Sequence, residues 1–198
     1  MKKILSTLVL SSMVMLGTSC ADFLEEENHS NVMQDFMATP AGYGMALNSV
    51  YANIRSMYSA EEGIHGLMNP GTDEIKNNVA GSNRTKDLAV YDREKFNANN
   101  EYPRKLWNDA YVQINTLNFI VENAEKVDVT TNELTPEMRD QYLGEAKFLR
   151  AFNYFHLVEQ FGDVTVTTTY NASPSTSAER HDMLKAYEEV IIPDLKDA

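Results

Sequence analysis

The chain has 198 residues, 43% of them hydrophobic, and its 29 acidic residues outnumber 17 lysines and arginines to give a formal net charge of −12. This length and composition suffice for one domain with its own core. The acidic balance argues against a nucleic-acid partner, because phosphate backbones bind to basic faces. The single cysteine, Cys20, excludes an intrachain disulfide.

The N-terminus has the pattern of a secretory signal peptide over residues 1–19. Two lysines precede an apolar run at 4–16, which is shorter than the roughly 20 residues that cross a bilayer. Small residues before Cys20 are typical of a bacterial lipobox, although Gly17 stands where leucine is usual. We therefore predict lipidation of Cys20 by acyl chains such as palmitate. The alternative is an ordinary signal peptide followed by a buried cysteine.

Residues 20–36 are predicted to be a tether, and residues 37–198 a helical domain. The tether begins with the acidic cluster "ADFLEEE" at 21–27, which is typical of a solvated segment. The first helix is expected to start at Thr39-Pro40, an N-cap followed by proline at the first helical position. Its apolar positions recur at spacings of four and three residues and form one face: Tyr43, Leu47, Val50, Ile54 and Met57. Glycines at 42 and 44 are expected to weaken the first turn.

Residues 59–100 are rich in asparagine, glycine and charged residues. A long irregular segment inside a domain is usually functional or disordered. We expect an ordered, partly exposed loop that binds a ligand or packs against another part of the protein.

Two further helices are predicted at about 103–126 and 136–161. The first presents one apolar face, made by Leu106, Ala110, Ile114, Leu117, Val121 and Ala124. The second runs from the Thr135-Pro136 start to a stop at Gly162. It contains "EAKFLRAFNYFHLVEQFGD" at 145–163, which is apolar on nearly every side and is therefore expected to be buried between neighbours.

After residues 164–179, which combine strand-like and loop residues, a fourth helix is expected near Ala178. Its predicted apolar face is Leu184, Tyr187, Ile191 and Leu195, and Pro193 is expected to kink or shorten it. Pro103 and Pro136 are separated by nearly the ~34-residue period of tetratricopeptide repeats. The sequence therefore predicts an all-α fold of tetratricopeptide-like helical repeats with long irregular loops.

The sequence offers no constellation for catalysis. Glu145 and Glu159 share one helix about 21 Å apart along its axis, whereas glycosidase carboxylates lie roughly 5–9.5 Å apart. His156 and Glu159, at i and i+3, could face a metal, but no second such unit completes a site, and we interpret them as structural polar groups. We predict no catalytic residue, no metal site and no cofactor.

Several stretches together resemble the N-terminal part of SusD/RagB-family nutrient-uptake lipoproteins of Bacteroidetes. In chain order they are the cysteine with its acidic cluster, "LNSVYANIRSMY", "TDE" at 72–74, "LWNDAYVQINTLNFIVENAE" and, most specifically, "EAKFLRAFNYFHLVEQFGDV". Family members are considerably longer, so the resemblance implies that a larger C-terminal part is missing from this chain.

The resemblance implies a lipid-anchored, surface-exposed protein of the outer membrane that captures oligosaccharides or peptides without catalysing a reaction on them. Its expected partner is a SusC/RagA-like TonB-dependent transporter. In the starch-binding relative, aromatic residues follow the "TDE"-like segment, but residues 75–79 here contain none, which argues against starch specificity. Asn77, Asn78, Asn83 and Arg84 are the candidate ligand-binding residues, unless this segment is a polar loop that touches only water. The alternative function is a lipid-anchored helical-repeat scaffold for protein–protein interaction.

Overall fold

A computed structural model of the chain describes residues 34–58, 69, 72–73, 100–130, 132–173 and 178–198. The long helices are α1 (Pro40–Met57), α2 (Glu101–Asn123) and α3 (Pro136–Phe161). A C-terminal helical segment consists of α4 (Met183–Ala186), a π-helical turn (Tyr187–Ile191) and α5 (Ile192–Asp197). Within the described ranges β structure is limited to isolated bridges, as between Val164 and His181. The predicted all-α class is confirmed.

Threonine caps followed by proline start α1 and α3, as the sequence predicts. The hydroxyl of Thr39 accepts a hydrogen bond from the amide of Gly42 at 3.1 Å, and that of Thr135 accepts one from Met138 at 3.3 Å. Such caps satisfy amide groups that have no partner inside the first helical turn. At the other end of α3, Gly162 adopts φ 69° and donates its N–H to the carbonyl of Val158 at 2.9 Å.

The helices α1 and α2 run antiparallel. The hydroxyl of Tyr43, early in α1, donates to the carbonyl of Ile120, late in α2, at 3.0 Å. At the opposite ends, Lys105 donates to the hydroxyl of Ser56 at 3.4 Å. The predicted apolar face of α1 is buried here, with Ile54 partly exposed.

The helices α2 and α3 are also antiparallel, since Asn118 contacts Arg150 while Trp107 packs on Phe161 with ring centroids 5.1 Å apart. Likewise, α3 and the C-terminal helical segment are antiparallel, because Lys147 pairs with residue 197 and Glu159 with residue 187. Successive helices thus alternate in direction, which is the arrangement expected of stacked helical hairpins.

Gly42 has a packing role beyond weakening the first turn of α1. A Cβ atom at Gly42 would lie 1.8 Å from the carbonyl oxygen of Phe36, a distance no side chain can occupy. The close approach lets the helical turn at residues 34–37 fold back onto α1. Gly44 allows a looser contact with α3. A Cβ atom at Gly44 would lie 3.2 Å from the ring of Tyr142.

The expectation that α3 is buried on nearly every side is wrong along one stripe. Phe148 remains 48% exposed and Phe155 43% exposed, whereas Leu149, Tyr154 and Leu157 are buried. Phe148 and Phe155 are seven residues apart and therefore lie on the same side of the helix. The described elements that pack on α3 leave this side open.

The C-terminal helical segment begins at Met183 and not near Ala178. The side chain of Asp182 caps it by accepting a hydrogen bond from the amide of Leu184 at 2.8 Å. Leu184 and Leu195, predicted on the apolar face, are 59% and 50% exposed. The buried positions are Ala186, Val190, Ile191 and Asp194.

A π-helical turn interrupts the regular period of this segment after Ala186. Pro193 has no N–H and cannot donate to the carbonyl four residues earlier. The preceding amide, of Ile192, donates to Tyr187, five residues back, which inserts one extra residue into the turn. The helix therefore continues to Asp197, while its buried face shifts relative to an ideal 3.6-residue period.

An extended segment, residues 164–171, crosses α2 and α3 with little β pairing. Side chains of the helices bind its backbone instead: Tyr111 donates to the carbonyl of Thr165 at 2.8 Å, and Asn118 to that of Thr169 at 3.1 Å. The hydroxyl of Tyr154 both donates to the carbonyl of Thr167 at 2.8 Å and accepts from its amide at 2.9 Å. The polar side chains of α2 and α3 thus replace a partner strand.

No helix among the described residues combines the length and the apolar character needed to span a bilayer.

Candidate functional site

The predicted ligand-binding residues Asn77, Asn78, Asn83 and Arg84 lie outside the described residues, as does the predicted lipidation site Cys20. These assignments stay predictions. In the "TDE" stretch, Thr72 and Asp73 are described, and the Thr72 hydroxyl donates to the carbonyl of Asn69 at 2.7 Å.

His156 lies where the end of α1 meets α3. It is 7% exposed, and its Nε2 atom is 2.9 Å from the hydroxyl oxygen of Tyr58. The ring of Phe152 packs edge-on against the imidazole, with centroids 4.5 Å apart. The contact joins two helices, as expected of a structural polar group.

Burial sets the protonation of this pair. Desolvation lowers the pKa of His156 below its ordinary value, because the imidazolium loses its water, and it raises the pKa of Tyr58 by disfavouring the phenolate. Both groups are therefore held in their neutral forms near pH 7.

Glu159 has a different partner from His156. It accepts a hydrogen bond from the hydroxyl of Tyr187 at 2.7 Å, and this bond is the largest cause of the raised pKa of that tyrosine. The described residues contain no group of three or more His, Cys, Asp or Glu side chains that could hold a metal. The two residues of the i, i+3 pair thus bind separate tyrosines.

Four aromatic residues are exposed on α1, just after its end and on α3. They are here called the aromatic face: Tyr51, Tyr58, Phe148 and Phe155. The half-buried ring of Phe152 connects two of them, with ring centroids 6.4 Å from Phe148 and 6.1 Å from Tyr58. Such a surface can stack against apolar or aromatic groups and against the flat faces of sugar rings.

One edge of the aromatic face is polar. The hydroxyl of Tyr51 donates to one oxygen of Glu145 at 2.8 Å, and the amide of Gln141 donates to the other at 2.8 Å. Desolvation and the neighbouring carboxylate raise the pKa of Tyr51 to about 12. This arrangement offers hydrogen-bonding groups beside aromatic rings, but no nucleophile paired with a base.

Reasoning from the sequence missed the buried ion pair of Arg150 and Asp194. The guanidinium donates to both carboxylate oxygens, at 2.7 and 2.8 Å, and a third nitrogen donates to the side chain of Asn118 at 3.0 Å. The residues are 6%, 5% and 0% exposed, so the charges are compensated inside the protein. The sequence feature that could have indicated this ion pair is the single arginine within the apolar stretch of α3.

Comparison with known proteins identifies the family. A SusD-like family model, described as "Starch-binding associating with outer membrane", matches residues 22–198. Two SusD-like proteins of Formosa agariphila are similar to the chain, with 27% identity over 168 residues and 25% over 173, covering 83% and 84% of the chain. The chain spans only 31% and 32% of those curated relatives.

Solved structures show the same fold. A SusD superfamily protein from Parabacteroides distasonis matches with a TM-score of 0.61 and 24% identity, covering 77% of this chain and 32% of its own. A second, from Bacteroides vulgatus, matches with a TM-score of 0.57 and 18% identity over 80% and 34% of the two chains. The predicted resemblance is confirmed: this chain belongs to the SusD-like family.

Proposed function

We propose that this chain is part of a lipoprotein that captures oligosaccharide or peptide nutrients at the surface of the outer membrane and delivers them to a TonB-dependent transporter. The observation that carries the proposal is the family match over residues 22–198, whose description joins starch binding to outer-membrane association. Binding without catalysis is supported by the separate partners of His156 and Glu159 and by the separation of Glu145 from Glu159, about 21 Å along the axis of α3.

The lipid anchor is tested at Cys20. Cells that express the chain are labelled with a palmitate analogue, and the wild-type protein is expected to carry the label while Cys20→Ser does not. A serine at 19 offers a control, since Ser19→Ala preserves the cysteine. Label that persists in Cys20→Ser would contradict the anchor.

Ligand capture is tested by titrating the chain with maltoheptaose, with other oligosaccharides of defined linkage and with mixed peptides, and following binding by calorimetry. We expect saturable binding to at least one class, weakened by Asn77→Ala or Asn83→Ala and unchanged by Asn132→Ala, a control on the exposed linker between α2 and α3. Equal affinity in all variants would remove these residues from the site. Steady release of reducing ends or free amino groups would show that the chain is an enzyme.

The second candidate function is a lipid-anchored scaffold for protein partners. The exposed aromatic face favours it, since exposed apolar surface often marks a protein interface. Cross-linking in intact cells distinguishes the two functions. A TonB-dependent transporter in the cross-linked product, together with ligand binding, supports capture, whereas other protein partners and no ligand response support the scaffold.

A further inference from the structure

Three polar side chains, one on α2 and two on α3, are buried. Gln113 is 1% exposed, Asn153 is 0% exposed and His156 is 7% exposed. In the part of the chain that the structure describes, both amide atoms of Gln113, the Oδ1 atom of Asn153 and the Nδ1 atom of His156 have no hydrogen-bond partner. Buried polar atoms in folded proteins are nearly always paired with protein or with ordered water.

The register of the two helices brings these side chains to one level. Gln113 lies five residues before Asn118, which contacts Arg150. Because the helices are antiparallel, the position of Gln113 along α2 corresponds to the position five residues after Arg150 along α3. That position lies between Asn153 and His156. Measured along the helix axes, all three residues therefore lie within about one helical turn of each other.

The hydrogen-bonding capacity of each group is defined by its other contacts. The Nδ2 atom of Asn153 donates to the carbonyl of Leu149 at 2.8 Å, which orients the amide and leaves Oδ1 as the acceptor. Gln113 supplies one amide nitrogen and one acceptor. The Nε2 atom of His156 faces Tyr58 at 2.9 Å, so Nδ1 is the ring atom left for this level.

We propose that Gln113, Asn153 and His156 form a buried binding site for ordered water, in which His156 is the Nδ1–H tautomer and Tyr58 donates to Nε2. With a proton on Nδ1 the site has two donor atoms and two acceptor atoms, which match the two acceptor and two donor positions of one water molecule. With the proton on Nε2, three acceptors would compete for two water protons. The buried water then fixes the imidazole that holds Tyr58 at the end of α1.

The tautomer and the water are both measurable by NMR in the wild-type chain labelled with ¹⁵N-histidine. The His156 signals are assigned by their loss in His156→Gln. We expect the ¹⁵N shift pattern of an Nδ1–H imidazole and a cross-peak between that proton and water of long residence time. The Nε2–H pattern, or an imidazole without a cross-peak to water, would overturn the proposal.

Gln113→Leu adds a second test, because it removes two of the four groups that hold the water. The cross-peak is expected to disappear in this variant and to persist in Gln141→Leu, a matched change at an exposed position of α3. A cross-peak of equal intensity in Gln113→Leu would contradict the site. If Gln113→Leu does not fold, the wild-type tautomer and cross-peak still decide.

Discussion

Arg150 and Asp194 join α3 to the C-terminal helical segment through an ion pair with almost no access to solvent. The two side chains are 8% and 7% exposed, and the guanidinium is satisfied by both carboxylate oxygens and by Asn118. The attraction in such a pair offsets the cost of removing both charges from water only while both partners are present.

We expect Asp194→Asn or Arg150→Met to lower the free energy of unfolding by about 3–5 kcal/mol, because each leaves one charge buried without its partner. The double variant Arg150→Met/Asp194→Leu should recover much of that loss. Urea unfolding followed by circular dichroism measures all three. Lys147→Met, which breaks the solvent-exposed pair with Asp197, is the control and should have a far smaller effect. Equal losses in the control and in Asp194→Asn would show that burial does not determine the cost.

His156 makes stability depend on pH. Its pKa is lowered in the folded state, so the unfolded chain binds a proton more readily than the folded chain does. Stability from the neutral imidazole is therefore present above the ordinary histidine pKa of about 6.5 and is lost as pH falls through the lower, folded value. We expect the free energy of unfolding of the wild type to fall relative to His156→Phe between about pH 7 and pH 5. Parallel profiles for the two proteins, from urea unfolding at each pH, would contradict this.

For single residues, the sequence indicated the role of a side chain better than it indicated which residue that side chain contacts. The interpretation of His156 as a structural polar group agrees with its contact to Tyr58. The partner itself, and the pairing of Arg150 with Asp194, join residues far apart in the chain. Local spacing contains no information on such contacts, because they depend on how separate helices meet.

The helix α3 has one buried side and one open stripe, although both are rich in large apolar residues. Leu149 is 2% exposed and Phe148, its neighbour in sequence, is 48% exposed. We expect Leu149→Ala to cost about 2–5 kcal/mol of stability, because it leaves a cavity in the core. Phe148→Ala should cost far less, and chemical denaturation measures both. A large loss at Phe148 would mean that the open stripe is covered in solution.

The segment 164–171 depends on the hydroxyl of Tyr154. We expect Tyr154→Phe to cost about 1–3 kcal/mol, since the amide of Thr167 loses its partner at a partly buried position. Hydrogen exchange at that amide should accelerate. Tyr142→Phe, on the same helix and half-buried beside Gly44, is the control and should leave this exchange unchanged. Unchanged exchange in Tyr154→Phe would mean that other contacts hold the segment.

Helix starts marked by local chemistry were predictable, whereas the register of the last helix was not. Thr39 and Thr135 cap α1 and α3 where the sequence predicts. The prediction failed at the π-helical turn before Pro193, because a period of 3.6 residues assumes that each amide donates four residues back. Leu184, before this turn, and Leu195, after it, are both exposed.

The whole chain has an excess of acidic residues, and repulsion among them opposes folding. We expect the melting temperature to rise as NaCl increases from a few millimolar to about 0.15 M, where the Debye length falls to about 8 Å. Glu188→Gln/Glu189→Gln, which neutralises two exposed acids, should show a smaller rise. The same series in KCl controls for specific ion effects. A melting temperature that falls with salt would show that attractive ion pairs dominate.

For the molecule as a whole, motifs predicted the family and the fold class, whereas the predicted binding site stays a prediction. The stretch at 145–163 carried the resemblance, and the family match over residues 22–198 confirms it; in this chain the stretch forms much of the buried side of α3. A ligand site depends on loop residues whose side chains are not constrained by a helical period. Asn77, Asn78, Asn83 and Arg84 therefore remain predictions for the binding experiments.

The way α2 and α3 hold residues 164–171 has a consequence for evolution. Side chains of Asn115, Asn118 and Tyr154 bind backbone atoms of the segment, and every amino acid except proline presents those atoms. The path of the segment is thus encoded partly in the helices, while Val164 and Val166 of the segment pack on the core. Across related sequences, residues 165 and 167–169 should vary freely among amino acids other than proline, while Val166 should stay apolar and the helical positions that bind the segment should be retained.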